Sequence, residues 1–263
     1  MCIRDRYVDR AYSDLKSYFI QGAYTYEGTL IKAISFGGYE RTYQAWDGLS
    51  MDQVLENRRQ NPLTYENEID NYKQDHFQLH WNEKINNYWS FNLGLNYTDG
   101  RGYYEQYRED DDINTYGGIV KSDIDSNGKE TGTTDLIRRR WLDNDFYVLN
   151  SSINYIKDKI DLTLSSSYSS YVGDHYGEVI WARSLSNIGE IRDRYYEGLG
   201  KKKDLSFFAK LLYSIDKKTE LYTDVQFRGI KYNTSGITSD LINMVLDKSY
   251  NSIKFKICKT AIP

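Results

Sequence analysis

Cysteine, proline and histidine are nearly missing, with two, two and three residues in a chain of 263. Cys2 and Cys258 stand near opposite ends, so the body of the chain holds neither a disulfide framework nor a cysteine-based metal site. Three histidines and no nucleophile motif argue against an enzyme. No apolar run approaches the ~18–20 residues of a membrane-spanning helix. "FFAKLL" (207–212) is about the greasiest stretch, and Lys210 breaks it. Positive charge is not in surplus either. Net charge is −4 and the pI about 5.5, with no basic stripe beside the aromatics, which leaves no nucleic-acid partner.

What the chain does have is tyrosine. Mean hydropathy is low at −0.71, yet 15% of residues are aromatic and 26 are Tyr, which does not fit a disordered chain. Tyrosine suits places where one end of a side chain is greasy and the other wet.

Hydrophobicity alternates with period two in paired segments. Residues 73–83 set Phe77, Leu79 and Trp81 against His76, Gln78 and His80, and 88–98 repeat the pattern with Trp89, Phe91, Leu93, Leu95 and Tyr97. Further pairs are 146–156 with 160–171, and 204–215 with 221–232; a less regular pair is 12–24 with 29–38. Such alternation predicts strands with one apolar face. Turns within pairs are short and polar (84–87, 157–159, 216–219), whereas the excursions 39–72, 99–137 and 173–203 are long. Short turns at one end and long loops at the other mark an outer-membrane barrel.

The polar face carries mostly Ser, Asn, Thr, Gln, Asp and Gly, groups suited to a wet lumen, while charge gathers in turns and loops. Aromatics form one tier near the short turns (Trp81, Tyr88, Trp89, Tyr155, Tyr213, Tyr222) and a second further along (Tyr97, Phe146, Tyr147, Tyr168, Phe227). At ~3.3 Å per residue and ~45° tilt, the spacing is on the order of the ~25 Å band between aromatic girdles. The fold expected is all-β: an antiparallel transmembrane β-barrel, in part, with eight or nine strands of a larger one. The alternative is a soluble or surface-attached β-rich adhesin or glycan-binding module, its apolar face against a second sheet.

Four stretches carry a resemblance: "FGGYERTYQAWDG" (36–48), "NYTDGRGYYEQYRED" (96–110), "RRRWLDNDFY" (138–147) and "GDHYGEVIWAR" (173–183). Together they resemble the barrel of a TonB-dependent outer-membrane receptor of the kind common in Bacteroidetes-type bacteria. The resemblance implies a bacterial outer-membrane location and a barrel of about 22 strands around a plug. It also implies a TonB box that couples to the energy-transducing TonB complex, and active import of a scarce ligand, most simply a ferric siderophore or similar small-molecule chelate. Outer-membrane lipid and lipopolysaccharide would surround it. Plug and box have no counterpart here, so residues 10–250 are read as a barrel fragment, inactive alone. The start "MCIRDR" lacks the apolar region of a signal peptide. Residues 1–9 are read as an irregular, non-native segment, and 251–263 as an uncertain strand with a non-native tail, as from a truncated or mis-assembled reading frame.

Several motifs reduce to simpler readings. Four residues of strand separate His76 from His80 by ~13 Å, too far for one metal ion. Neighbours on a strand, Asp174 and His175 point to opposite faces and form no dyad. "DIDSNGKE" (123–130) begins like a calcium loop, but Thr134 stands where the bidentate Glu belongs, and a turn at Asn127-Gly128 explains it. "SMDQVLENRRQNP" (50–62) reads as a short helix with a Ser50/Gln53 capping box, stopped by Asn61-Pro62. No catalytic residue, metal site or cofactor is expected. Ligand contact is assigned to extracellular loops, through Arg101, Tyr103, Tyr104, Tyr107 and Arg108, then Trp181 and Arg183, whose rings and guanidinium groups suit a ligand with rings or anionic groups.

Overall fold

The computed structural model describes residues 7–261. Cys2 and most of the irregular start lie outside them. Nine strands follow one another: β1 (Ser13–Tyr26), β2 (Thr29–Tyr43), β3 (Ile69–Lys84), β4 (Trp89–Asp112), β5 (Thr133–Lys157), β6 (Ile160–Ala182), β7 (Arg194–Asp216), β8 (Thr219–Ile237) and β9 (Asn243–Ala261). Each pairs antiparallel with the next in a single meandering sheet. The last strand carries the chain through 251–261 in register with β8, pairing Ala261 with Thr219.

The paired registers fix which side chains share a face. On β4 and β5, Trp89, Phe91, Leu95 and Tyr97 lie across from Tyr155, Ile153, Leu149 and Tyr147. These define the apolar face; Asn92, Asn96, Ser152 and Asn154 define the other. Phe77 stacks toward Tyr97, and Tyr97 on Tyr147 at 4.6 Å, the aromatic cross-strand contacts that stabilise a sheet. Among the described residues no second sheet covers this face: Leu95 stays 40% and Leu164 43% exposed. Even its serines look after themselves, Ser151 and Ser166 sharing a hydrogen bond of 2.8 Å. That is what a face turned to hydrocarbon requires, since lipid offers no partner for a polar group. Of the expected girdle, Phe146 and Tyr222 lie on the opposite face by register.

The strands run well beyond the segments that alternate. The excursions read as long loops at 99–137 and 173–203 contract to 113–132 and 183–193, and the first to 44–68. The reason is the solvent. Above Tyr97 and Tyr147 the apolar face gives way to Asp99, Arg101, Asp143 and Asp145, so both faces are wet and hydropathy loses its period while backbone pairing continues.

The buried core therefore sits at the loop end and on the polar face. Tyr116, Ile119, Val120, Leu136, Val179 and Tyr195 pack together beneath loop 113–132, each burial worth roughly 1.5–3 kcal/mol. Loop 183–193 locks over it through Lys121 N to Ser184 O (3.1 Å) and Ser186 N to Ile119 O (3.0 Å). A side chain at Gly189 would collide with the Ile119 backbone, so this approach requires glycine.

Helix α1 (Met51–Glu56) has the expected Ser50/Gln53 capping box, Ser50 N donating to Gln53 Oε1 at 2.8 Å. It ends at Glu56, short of Asn61-Pro62. The Asp125 carboxylate closes the turn at Asn127-Gly128 by accepting from the Asn127 and Lys129 amides, and Gly128 takes φ 79°. Asp123 instead accepts from Thr134, Ser184 and Arg183, so the two carboxylates serve separate structural ends.

Candidate functional site

The two faces of the sheet part company chemically at the loop end. β4 keeps its parity without a bulge from Trp89 to Arg108, which settles the facing of the residues expected to touch ligand. All five expected on the 99–112 stretch stand on the strand, and Trp181 is the last residue but one of β6; Arg183 alone lies in a loop. Their placement in loops is thereby corrected.

Arg101 and Tyr103 share the outward face with Tyr97. There they join a ladder of alternating cations and rings. The Arg101 guanidinium lies 5.2 Å from the Trp141 ring, Tyr103 packs on Trp141 at 4.5 Å, and Arg139 sits 4.3 Å over Tyr103. Trp141 stacks on Tyr176, which Arg194 covers at 3.6 Å. Carboxylates complete it: Arg101 meets Asp143 at 3.4 Å, Arg139 meets Glu105 at 2.8 Å and Arg194 meets Asp174 at 3.3 Å. Tyr107 also faces outward and donates to Asp135 at 2.6 Å. Arg183 pairs with Asp135 and Asp123. Trp181, across from Ile137, is 44% exposed on the same side. These groups already satisfy one another.

Tyr104 and Arg108 face the other way, onto the polar face that carries the core. Sequence reasoning missed their neighbours. Arg140 lies across from Tyr104, donating through Nη1 to the Tyr104 hydroxyl at 3.1 Å and through Nε to the Tyr195 hydroxyl at 3.3 Å. Among the described residues no carboxylate pairs with it. Arg138, one pleat further, donates to Gln106 and to the Tyr116 hydroxyl (3.1 Å), with Asp111 at 3.8 Å. Arg108 is held to Asp111 at 3.1 Å. Trp46, from loop 44–68, stands edge-on to Tyr104 at 6.3 Å. The "RRR" at 138–140 held a usable signal: with period two, its first and third members must share a face.

A bulge in β7 enriches this cluster. Gly177 pairs with Tyr196 but Glu178 pairs with Arg194, so Tyr195 is the extra residue. Tyr195 and Tyr196 both turn inward, their rings 5.0 Å apart. Burial also raises the Tyr116 phenol above its ordinary range, keeping it a hydrogen-bond donor to Asp111 at 2.6 Å.

Loop 44–68 is pinned to the rim. Gln44 Nε2 donates to the Ile69 and Glu105 carbonyls, and the Tyr65 hydroxyl donates to Glu105 at 2.7 Å. Burial, then that bond to Glu105, pushes Tyr65 up to about 12. Burial pushes the Glu68 carboxyl up to about 7, against the lowering effect of the Tyr107 amide it accepts at 3.1 Å. The histidines fall as the geometry predicts. His76 stacks on Phe36 at 4.4 Å, while Asp174 and His175 take opposite faces.

No protein-family model matches the chain, and no curated protein matches it in sequence. Solved structures do. The open form of the ferric-catecholate import receptor Fiu from E. coli K12 aligns with a TM-score of 0.60 at 8% identity, over 96% of this chain and 44% of that one. The unliganded ferric citrate transporter FecA gives 0.63 at 10% identity, covering 94% and 33%. The ferric preacinetobactin receptor BauA from Acinetobacter baumannii gives 0.57 at 8%, covering 97% and 38%. The chain thus spans between a third and a half of their length. At such identity the likeness is one of fold: nine antiparallel strands arranged like part of the barrels of these receptors.

Proposed function

We propose that residues 10–250 are a stretch of the barrel of a TonB-dependent outer-membrane receptor, of the Bacteroidetes-type kind, whose whole protein imports a ferric siderophore or similar anionic chelate. The observation that carries the reading is Arg140. It is a half-buried guanidinium on the polar face, held by two tyrosine hydroxyls and, among the described residues, balanced by no carboxylate. A cation prepared in this way has spare donors for an anionic ligand, and the surrounding rings offer stacking area. The names of the structural neighbours, all ferric-chelate receptors or transporters, support the ligand class. The adhesin alternative is less favoured, since among the described residues no second sheet covers the apolar face. The structural neighbours are named as receptors and transporters, which fits a protein without catalysis.

In this reading Tyr104 and Arg108 remain ligand contacts, joined by Arg140, Tyr195 and Trp46. Arg101, Tyr103, Tyr107, Trp181 and Arg183 become the outer scaffold of the rim. Capture at the mouth precedes plug rearrangement driven through TonB. The test uses the whole receptor. It should fractionate with detergent-extracted, heat-modifiable outer-membrane protein and support growth on a ferric chelate as iron source. Recovery in the soluble fraction, or growth unaltered by deletion across a panel of such chelates, would remove the proposal.

A further inference from the structure

The outward face behaves differently on β7 and β8. On β3–β5 the outward cations above the apolar band are matched by carboxylates: Lys73 by Asp75, Arg101 by Asp143, Arg139 by Glu105. On β7 the outward residues run Phe207, Leu205 and then Lys203 and Lys201; on β8 they run Phe227, Gly229 and then Lys231. Lys203 and Lys231 are direct cross-strand partners. Like charges placed opposite each other on one face of an antiparallel pair are destabilising. The carboxylate that reaches them, Asp247, is 4.0 Å from Lys231, and both side chains are more than half exposed. Lys201 and Lys203 have no ion pair among the described residues. Below the lysines the face is notched. Gly229 stands opposite Leu205 without a side chain, and a groove of about 330 Å³ opens between Lys203, Lys231, Leu205, Phe227 and Asn251.

We propose that Lys203 and Lys231 seat the phosphate of an outer-leaflet lipid headgroup, with its acyl chain descending through the Gly229 notch over Leu205 and Phe227. Charge complementarity selects the occupant. Two facing ammonium groups that share one exposed carboxylate, Asp247 at 4.0 Å from Lys231, stand at the upper edge of an apolar band and call for an anion whose remainder is hydrocarbon, which a phospholipid or phosphorylated glycolipid supplies and free phosphate does not. A bound phosphate also relieves the repulsion that the pairing builds in. The proposal rests on the outer-membrane reading above.

The experiment takes the whole receptor purified in detergent and measures binding of a bis-phosphorylated glycolipid presented in mixed micelles, against its dephosphorylated form and inorganic phosphate. Wild type should bind the phosphorylated lipid, and the double variant Lys203→Gln/Lys231→Gln should bind it at least tenfold more weakly. The charge-conserving Lys203→Arg/Lys231→Arg should retain it. Gly229→Leu, which fills the notch, should weaken the lipid severalfold. Heat-modifiable migration checks that each variant is folded; if wild type itself is soluble without detergent, the barrel reading fails and this proposal with it. Equal binding by folded wild type and the Gln variant, or inorganic phosphate competing as well as lipid does, would overturn the lipid seat while leaving the barrel intact.

Discussion

Arg140 on β5 stands directly across from Tyr104 on β4, and its Nη1 donates to the tyrosine hydroxyl at 3.1 Å on the concave face of the sheet. Arg139, its neighbour in the chain, makes its contacts on the other face, with Glu105 and the ring of Tyr103. One residue step separates a guanidinium on the polar face from one spent on the outward ladder.

Replacing Arg140 by Gln in the whole receptor should weaken chelate binding by about tenfold or more, since a charged hydrogen bond is worth ~1.5–3 kcal/mol. Arg140→Lys should recover only part, because a point charge cannot fork to two hydroxyls and a ligand. Arg101→Gln, on the outer face, should leave affinity near wild type. Titration calorimetry with one ferric chelate decides it; equal losses at both positions would mean that facing does not matter.

The orientation of the sheet can be probed at two positions on β6. Leu164→Lys should destabilise the barrel by ~2–4 kcal/mol, the cost of a cation near the bilayer midplane. Ser167→Lys, on the concave face across from Ser206, should be tolerated. Folding titrations in lipid vesicles would show the difference, and a reversed order would place hydrocarbon on the wrong side.

Tyr116 should matter for the rim more than for the barrel. Tyr116→Ala opens the loop-end core and should cost ~3–5 kcal/mol locally. Loops 113–132 and 183–193 should then become sensitive to protease together, because their backbones are bonded to each other. Tyr116→Phe keeps the packing but drops the bonds to Asp111 and Arg138, for a loss of ~1–2 kcal/mol.

Glu68 predicts a pH response. Its folded-state value is raised from 4.5 to about 7, so its contribution is full below about 4.5 and is lost as pH rises through 7. Loop 44–68 should therefore loosen between pH 5 and 8, by an amount on the order of 3 kcal/mol at most. Hydrogen exchange at the Tyr107 amide, which bonds to Glu68, reads it. Glu68→Gln should flatten the profile.

The strand pairs were legible because one face of each is apolar. Leu93, Leu164 and Phe207 write the period into the sequence wherever one face is apolar and the other polar. Above Tyr97 that contrast ends, and the tyrosines and arginines of 99–112 look like a loop to any reading based on hydropathy. Parity was still available there: Tyr104 follows Asn96 by an even step, and Tyr103 follows Tyr97. The inward cluster stayed hidden for another reason. It is assembled from β4, β5, a loop turn and a bulge, with Tyr116, Arg140 and Tyr195 far apart in sequence.

The extra residue in β7 acts as a parity switch at the rim. Counting by twos up from Leu205 would send Arg194 into the passage and Tyr195 toward the exterior. Instead Arg194 caps Tyr176 outside, while two consecutive phenols line the interior. A single insertion or deletion at this height can thus exchange the side chains that the two faces present. The greasy belt that anchors the wall lower down need not notice.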